Sequence, residues 1–220
     1  MQSKVVNLPL SLFYQHIINQ ATKLGIWKIE EPEDFFLAEV PLQQSITHPH
    51  KRLQHLAGRY LLKYLFPGFP YDEILIADTR KPYLPGEQYH FSISHCGDYA
   101  AVIVSKDHRV GIDIELVTAK VERIKHKFLN DHELWTIGKQ SLNQQLHKLT
   151  LLWCCKEAVF KWYASGGVDF KDDIQLHPHS LHTDEGMINC RFVKEEITDL
   201  IIRHKYFDGL CLAWVATSAK

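Results

Sequence analysis

The sequence lacks an excess of charge of either sign. Its 220 residues include 25 lysines and arginines against 26 aspartates and glutamates, which gives a formal net charge of -1. Proteins that bind nucleic acid usually carry a basic patch or stripe, so this balance does not indicate a nucleic-acid partner. No run approaches the 18 consecutive apolar residues of a membrane-spanning helix, so we also expect no membrane span.

Cysteine is scarce and unevenly placed. The five cysteines are Cys96, Cys154, Cys155, Cys190 and Cys211. An odd number, with two thiols adjacent in the chain, is not typical of a disulfide framework and predicts reduced cysteines in the cytoplasm. The N-terminal stretch is interrupted by Pro9 and has too few apolar residues for a signal peptide.

Histidine is plentiful, with 14 residues, but it does not form a metal-binding pattern. Neither an HExxH motif nor a Cys/His ligand spacing occurs, so the sequence does not indicate a zinc site. Hydrophobic residues make up 45% of the chain, which is ample for a buried core. The length suits one large domain or two small ones.

Apolar periodicity predicts a repeated order of a helix followed by strands. We predict helices over residues 50–66, 121–135 with a possible break at Asn130–Asp131, and 145–164. We predict strands over residues 25–31, 74–78, 174–176, 188–193, 197–205 and 210–216, with short strands and turns over the first 45 residues. The repetition indicates two α+β halves, residues 1–108 and 109–220, although chance resemblance between amphipathic helices explains it equally well.

The most informative stretch runs from Phe91 to Glu115. Near its end Ile112 and Ile114 alternate with Asp113 and Glu115, so a strand here directs both carboxylates to one face. Two acids on one face repel each other unless a cation lies between them, and oxygen ligands suit magnesium. The alternative is an ordinary edge strand whose polar face meets water.

A second motif, WCCKEAVFK, covers Trp153 to Lys161. Glu157 and Lys161 are four residues apart on one helix face, so they can form a surface ion pair. Alternatively, Glu157 is a third metal ligand and Lys161 contacts phosphate. Periodicity alone does not decide between the two interpretations.

Two shorter motifs precede these. Ser94 and His95 end the run FSISH, which fits either a turn or a phosphate contact. They do not suit a nucleophile pair, because adjacent strand residues point to opposite faces. Lys81 follows Arg80 and precedes Pro82, and this pair of cations is either a solvated loop or an anion contact.

Taken together and in this order, KPY, FSISH, GIDIE and WCCKEA resemble motifs of the 4′-phosphopantetheinyl transferase superfamily, in its Sfp (surfactin-synthetase-activating) type. The resemblance covers residues 50–167 and is faint at both ends. It implies an α+β fold of two similar halves related by a pseudo-twofold axis. Antiparallel sheets with packed helices and an active site between the halves are expected. It also favours a monomer.

The resemblance implies a reaction as well. The family transfers the 4′-phosphopantetheine arm of coenzyme A to a serine of an apo acyl carrier or peptidyl carrier protein, with Mg²⁺, and releases adenosine 3′,5′-bisphosphate. A metal-dependent phosphodiesterase and a non-catalytic module that binds carrier proteins or nucleotides stay open as alternatives. The identity of the carrier and the choice between magnesium and manganese also stay open.

The resemblance further implies roles for individual residues. The metal ligands would be Asp113, Glu115 and Glu157. Lys161 would contact the pyrophosphate, and Glu133 would be the general base. The coenzyme A site would be lined by Ser94, His95 and Lys156, with Lys81 near the nucleotide, and by Arg52 and Arg59 as candidates for the 3′-phosphate. The carrier is expected to dock near Phe128, Leu129 and Trp135, and to be steered by Arg123, Lys125 and Lys127.

Overall fold

A computed structural model describes residues 11–42, 45–178 and 184–219. Its helices are α1 (Glu33–Leu37), α2 (Pro49–Leu65), α3 (Lys120–Phe128), α4 (Asp131–Ile137) and α5 (Leu142–Tyr163). Its strands are β1 (Leu12–Ile17), β2 (Thr22–Lys28), β3 (Leu75–Ile76), β4 (Pro82–Tyr83), β5 (His90–Cys96), β6 (Tyr99–Ser105), β7 (His108–Leu116), β8 (Ile174–His177), β9 (Glu185–Val193), β10 (Ile197–Phe207) and β11 (Leu210–Ser218).

The first half is a four-stranded antiparallel sheet, in the order β1-β2-β6-β5, covered by α2. His48 caps the start of α2 and Pro49 follows it, where a missing N–H costs no hydrogen bond. The helix ends before Pro67. Its apolar face, including Leu56 and Leu61, is buried against the sheet beside Trp27.

The second half is a five-stranded antiparallel sheet, in the order β7-β11-β10-β9-β8, covered by α5. A capping box between Ser141 and Gln144 begins α5, because each side chain accepts a hydrogen bond from the other residue's backbone N–H. The helix ends at Ala164, whose φ of 71° is left-handed. Both halves therefore pair a long helix with an antiparallel sheet, and the predicted α+β class is confirmed.

The two sheets meet through an apolar layer. Leu24, Ile26 and Ile103 of the first sheet share this layer with Ile112, Leu212 and Trp214 of the second. Since Ile112 and Ile114 face this layer, Asp113 and Glu115 face α5, as the alternation in GIDIE predicts. The predicted boundary between residues 108 and 109 falls at the first residue of β7 and stays a prediction, as does the pseudo-twofold axis.

Side chains from β5 join the two sheets where their edges meet. β7 is an edge strand, so alternate backbone N–H groups have no neighbouring strand. Ser92 Oγ, Ser94 Oγ and Cys96 Sγ accept hydrogen bonds from the N–H groups of Ile112 (3.2 Å), Ile114 (3.3 Å) and Leu116 (3.2 Å). The alternating polar residues of FSISHC thus attach the first half to the strand that carries Asp113.

The structure agrees with most of the predicted elements. The predicted helix over residues 121–135 is interrupted at residues 129–130, between α3 and α4. Only Leu75 and Ile76 of the predicted strand 74–78 are paired, because β4 offers them a partner of two residues. Of the predicted strands and turns in the first 45 residues, residues 1–10 and 43–44 lie outside the described part.

Two further predictions concern membrane-spanning helices and the state of the cysteines. Among the described residues, no helix is long and apolar enough to cross a membrane. All five cysteines are free thiols, four of them buried.

Candidate active site

A lysine, a serine and an aspartate from three different elements meet between the halves. Lys161 Nζ, on the last turn of α5, lies 2.6 Å from Asp113 Oδ1 and donates to Ser94 Oγ at 2.9 Å. Ser94 Oγ also donates to Asp113 Oδ1 at 2.7 Å. Because Ser94 is on β5 of the first half and Asp113 and Lys161 belong to the second, this cluster exists only when the halves are joined.

Two more carboxylates lie beside this cluster. Burial, and then the neighbouring Asp113, raise the pKa of Glu157 to about 7. The same two causes raise the pKa of Glu115. Both shifts mean that the ionised form is disfavoured here, as expected where three acids share a partly desolvated site.

A glycine permits the close approach of α5 to β7. A Cβ atom at Gly111 would lie 2.1 Å from Ala158 O and 2.6 Å from Trp162 N, which are backbone atoms of α5. Arg109, two residues earlier, fixes the end of the same helix by donating to the carbonyls of Trp162 and Tyr163. The glycine of GIDIE thus lets Asp113 reach Lys161.

Trp153 orients Glu115, a contact that the sequence analysis missed. Its indole Nε1 donates to Glu115 Oε1 at 3.0 Å, while its ring packs against Phe128 and Phe170. Trp153, Glu157 and Lys161 follow one another at steps of four along α5, and this spacing was the available signal.

Further basic side chains, which belong to the first half, lie near Lys161. His95 lies within electrostatic range of Lys161, Asp113 and Arg59. Arg59 is 7% exposed, and burial lowers the pKa of its guanidinium to about 10. Among the described residues its Nε has no hydrogen-bond partner. A buried cation without a described acidic partner favours an anionic ligand nearby.

A strap formed by residues 79–84 lies against the end of α5. Lys81 Nζ donates to the backbone O of Lys161 at 2.7 Å, and burial together with the nearby Arg109 lowers the pKa of Lys81 to about 8. A cavity of about 210 Å³ lies between the strap and α5, lined in part by Arg80, Phe160 and Lys161. The cavity therefore opens beside the lysine of the cluster.

Comparison with known proteins agrees with this geometry. Residues 109–215, which include β7 and α5, match the sequence model of the 4'-phosphopantetheinyl transferase superfamily. This part of the chain, nearly half of its length, is therefore similar to that superfamily. The match includes Asp113, Glu157 and Lys161.

Several curated proteins show moderate similarity to this chain. It is 29% identical over 127 residues to 4'-phosphopantetheinyl transferase AcpT of Escherichia coli (strain K12), covering 54% of this chain and 62% of that protein. It is 32% identical to enterobactin synthase component D of the same strain, covering 50% of this chain and 54% of that protein. For 4'-phosphopantetheinyl transferase gsp of Aneurinibacillus migulanus the identity is 29%, covering 50% of this chain and 46% of that protein. The chain thus spans about half to three fifths of the length of these relatives.

The structure brings together most residues to which the resemblance assigns a role. Asp113, Glu115 and Glu157 interact electrostatically with one another, and Lys161, Ser94 and His95 surround them. Lys81 reaches Lys161 from the strap. Arg59 adjoins His95, whereas Arg52 is held by Glu33 at 2.7 Å and by the carbonyl of Ile46 at 3.0 Å.

Two predicted roles disagree with the structure. Glu133 and Lys156 are both 0% exposed and pair with each other at 2.8 Å inside the second half. Neither side chain has a surface at which a carrier serine or coenzyme A could reach it. The sequence could not reveal this, since charged residues are seldom fully buried.

The expected carrier surface needs a similar correction. Phe128 is 1% exposed and Leu129 is 0% exposed, because both belong to the core under α5. Trp135 is 80% exposed, and its place in the carrier surface stays a prediction. The prediction was therefore wrong for the two residues whose side chains fill the α3–α5 interface.

The three carboxylates fit a divalent cation by their chemistry. Asp113 is 3% exposed, and no described residue hydrogen-bonds its Oδ2. A buried carboxylate oxygen without a partner, next to two acids with raised pKa values, is an arrangement that Mg²⁺ stabilises. Over residues 11–42, 45–178 and 184–219, no three such side chains are already arranged as a metal site, and Lys161 is the cation that contacts Asp113.

Proposed function

We propose that this chain transfers the 4′-phosphopantetheine arm of coenzyme A to a serine of an apo acyl carrier or peptidyl carrier protein, releasing adenosine 3′,5′-bisphosphate. The observation that carries the proposal is the meeting of Ser94, Asp113 and Lys161 between the halves, beside two further acids. Relatives named 4'-phosphopantetheinyl transferase support it. The Sfp type is part of the proposal.

Asp113, Glu115 and Glu157 would hold the metal in this proposal. When bound, Mg²⁺ supplies a positive charge that polarises phosphate oxygens. The three carboxylates would hold that charge between the halves, and Trp153 fixes the orientation of Glu115. Phosphoryl transfer depends mostly on positioning and electrostatics, so these side chains need not form a covalent bond to the substrate.

Lys161 would stabilise the negative charge that builds on the leaving phosphate. Burial lowers the pKa of Lys161, but the charge and hydrogen bond of the Asp113 carboxylate, together with the nearby Glu157, outweigh it, so the net shift is upward and the ammonium is retained. Ser94 holds both groups through its hydroxyl. A charged donor fixed in this way contributes to transition-state stabilisation without having to reorganise.

Arg59, His95 and Lys81 would bind the remaining phosphate charge of coenzyme A. Arg59 is the strongest candidate for the 3′-phosphate, since it is buried without a described hydrogen bond at Nε. Arg52 is a weaker candidate because Glu33 already satisfies its guanidinium. Dephospho-coenzyme A tests this assignment, since Arg59→Met should lose any preference for coenzyme A over the dephospho form.

Intact-mass measurement of a carrier protein tests the proposed reaction. With coenzyme A and millimolar Mg²⁺, the carrier should gain the mass of one phosphopantetheine group. Glu157→Gln should abolish the gain, and Asp199→Asn, at an exposed acid of β10 that pairs with Arg191, should leave it unchanged. An unmodified carrier across acyl and peptidyl carrier panels, with a folded enzyme, would contradict the proposal.

The carrier would dock on the face that carries Trp135. This indole is 80% exposed, and the exposed Arg123 and Lys127 lie on the neighbouring α3. Exposed tryptophan and arginine are typical of interfaces, and basic residues attract acidic partners. Trp135→Ala should raise the KM for the carrier without changing coenzyme A affinity, whereas Met187→Ala, at a 62% exposed methionine on β9, should change neither.

We also propose that the protein is a monomer and that it is cytoplasmic. Ser94 of the first half already reaches Asp113 and Lys161 of the second, so the site needs no residue from another copy. The five free thiols support a reducing compartment. Light scattering should give the mass of one chain, and a dimer that loses activity on dilution would contradict this part.

A further inference from the structure

The second half contains a fully buried ion pair between α4 and α5. Glu133 Oε2 lies 2.8 Å from Lys156 Nζ, and both side chains are 0% exposed. Lys156 Nζ also donates to the carbonyl oxygens of Phe170 at 2.7 Å and Ile174 at 2.6 Å. An ammonium group has three protons, and each of them has an acceptor.

The Glu133 carboxylate is also satisfied. Besides Lys156, it accepts from Asn130 N at 2.9 Å, as part of the capping box of α4, and from Leu176 N of β8 at 2.8 Å. Three donors thus contact the two carboxylate oxygens. A general base must lie within hydrogen-bond reach of the proton that it removes, and this carboxylate faces only the protein interior.

The ion pair is next to the candidate active site, on the same helix α5. Lys156 and Glu157 are consecutive on α5, so their side chains point about 100° apart around the helix. Lys156 points into the second half, towards β8, while Glu157 points towards Asp113. Whatever fixes the rotation of α5 at Lys156 therefore fixes the direction of Glu157.

We infer that Glu133 and Lys156 are positioning residues: their buried ion pair ties α4, β8 and the 170–174 loop to α5, and neither side chain touches coenzyme A or the carrier serine. The inference rests on the proposed transferase function. In this inference the ion pair fixes the orientation of Glu157 on α5. It also fixes the position of α4, which carries Trp135. Removing one partner leaves the other buried and unpaired, which is strongly destabilising.

The unmodified enzyme gives the first test. The side-chain ¹⁵N resonances of Lys156 and Lys161 are followed by NMR while coenzyme A and Mg²⁺ are added. A buried, triply hydrogen-bonded Lys156 ammonium should exchange its protons slowly and keep its chemical shift, while the Lys161 signal moves. A Lys156 signal that moves as far as that of Lys161 would overturn the inference. If the Lys161 signal also stays fixed, the proposed coenzyme A site is wrong instead.

A substitution gives the second test. Glu133→Gln should lower the Tm, while kcat at saturating carrier, measured well below that Tm, stays within about tenfold of the parent. A lost general base typically lowers the rate by about 10²–10⁴-fold. A loss of that size with an unchanged Tm, or recovery of kcat by added formate or acetate, would show Glu133 to be the base.

Glu122→Gln is the matched control for this substitution. Glu122 pairs with Lys125 at 2.7 Å on the surface of α3. This is also a glutamate–lysine ion pair, but its side chains are partly exposed to solvent. Its substitution should leave both the Tm and kcat unchanged. If Glu133→Gln does not fold, the NMR measurement on the unmodified enzyme still decides between the two roles.

Discussion

At the scale of single residues, Trp153 has two separable roles. Its ring packs between Phe128 and Phe170, and its Nε1 donates to Glu115. Trp153→Phe keeps most of the packing and removes only the donor, a loss of about 1 kcal/mol. We therefore expect the Mg²⁺ concentration for half-maximal transfer to rise about fivefold, with little change in Tm.

Trp27→Phe is the control for that prediction. Trp27 also donates its Nε1 to a carboxylate, Glu31, at 2.9 Å, but it lies in the core of the first half. Its substitution should leave the Mg²⁺ requirement unchanged. Equal Mg²⁺ titrations for Trp153→Phe and the parent would mean that Glu115 needs no orientation by the indole.

At the scale of elements, the attachment of β5 to β7 depends on side chains rather than on a strand ladder. Ser92 Oγ is the only described acceptor for the otherwise unpaired N–H of Ile112, in a fully buried region. Ser92→Ala should cost about 1–3 kcal/mol, because it leaves that N–H without a partner. For a chain of this length the Tm should fall by several degrees.

Ser92→Cys tests the reason for that loss. Cys96 already performs the same task for Leu116 through its sulfur. A cysteine at position 92 should therefore retain part of the stability that alanine loses. Thermal unfolding of the two variants checks this, and an alanine variant as stable as the parent would contradict the role given to these side chains.

The close contact between β7 and α5 tolerates substitution even less than the contact between β5 and β7. Gly111→Ala would place a methyl group 2.1 Å from Ala158 O, so the helix must move away from the strand. We expect a loss of more than about 3 kcal/mol, or no soluble protein, because backbone atoms cannot rotate aside. Gly68→Ala, where nothing lies within 4 Å of the added carbon, should be close to neutral in the same unfolding assay.

The elements also show how far the sequence alone leads. Long periodic segments such as α2 and α5 were predictable, because their apolar faces follow the helical repeat. The direction of Asp113 and Glu115 followed from strand alternation. The burial of Glu133 and Lys156 did not, since it depends on hydrogen-bond partners that are distant in sequence: the carbonyl groups of Phe170 and Ile174 accept from Lys156, and the N–H of Leu176 donates to Glu133.

At the scale of the whole molecule, His55 links stability to acid. Burial, and then the nearby Arg59 and His95, lower the pKa of His55 to about 4 from its ordinary 6.5. Between these two values the unfolded chain binds a proton that the folded protein does not, so stability falls as pH falls from 6.5 towards 4. His55→Gln should remove up to about 3 kcal/mol of this dependence.

Urea unfolding of the parent and variants at pH 7 and pH 4.5 measures that effect. The stability difference between the two pH values should be smaller in His55→Gln than in the parent. His126→Gln, at an exposed histidine on α3, should behave as the parent does. The same pH dependence in all three proteins would show that the acid sensitivity arises elsewhere.

The central claim is that a cleft between two joined halves transfers phosphopantetheine rather than hydrolysing coenzyme A. The most direct measurement is the ratio of adenosine 3′,5′-bisphosphate released to carrier modified, in one reaction with Mg²⁺. We predict a ratio of one to one, and no release when the carrier is omitted. Release without carrier, or in large excess over modified carrier, would identify a phosphodiesterase and contradict this account.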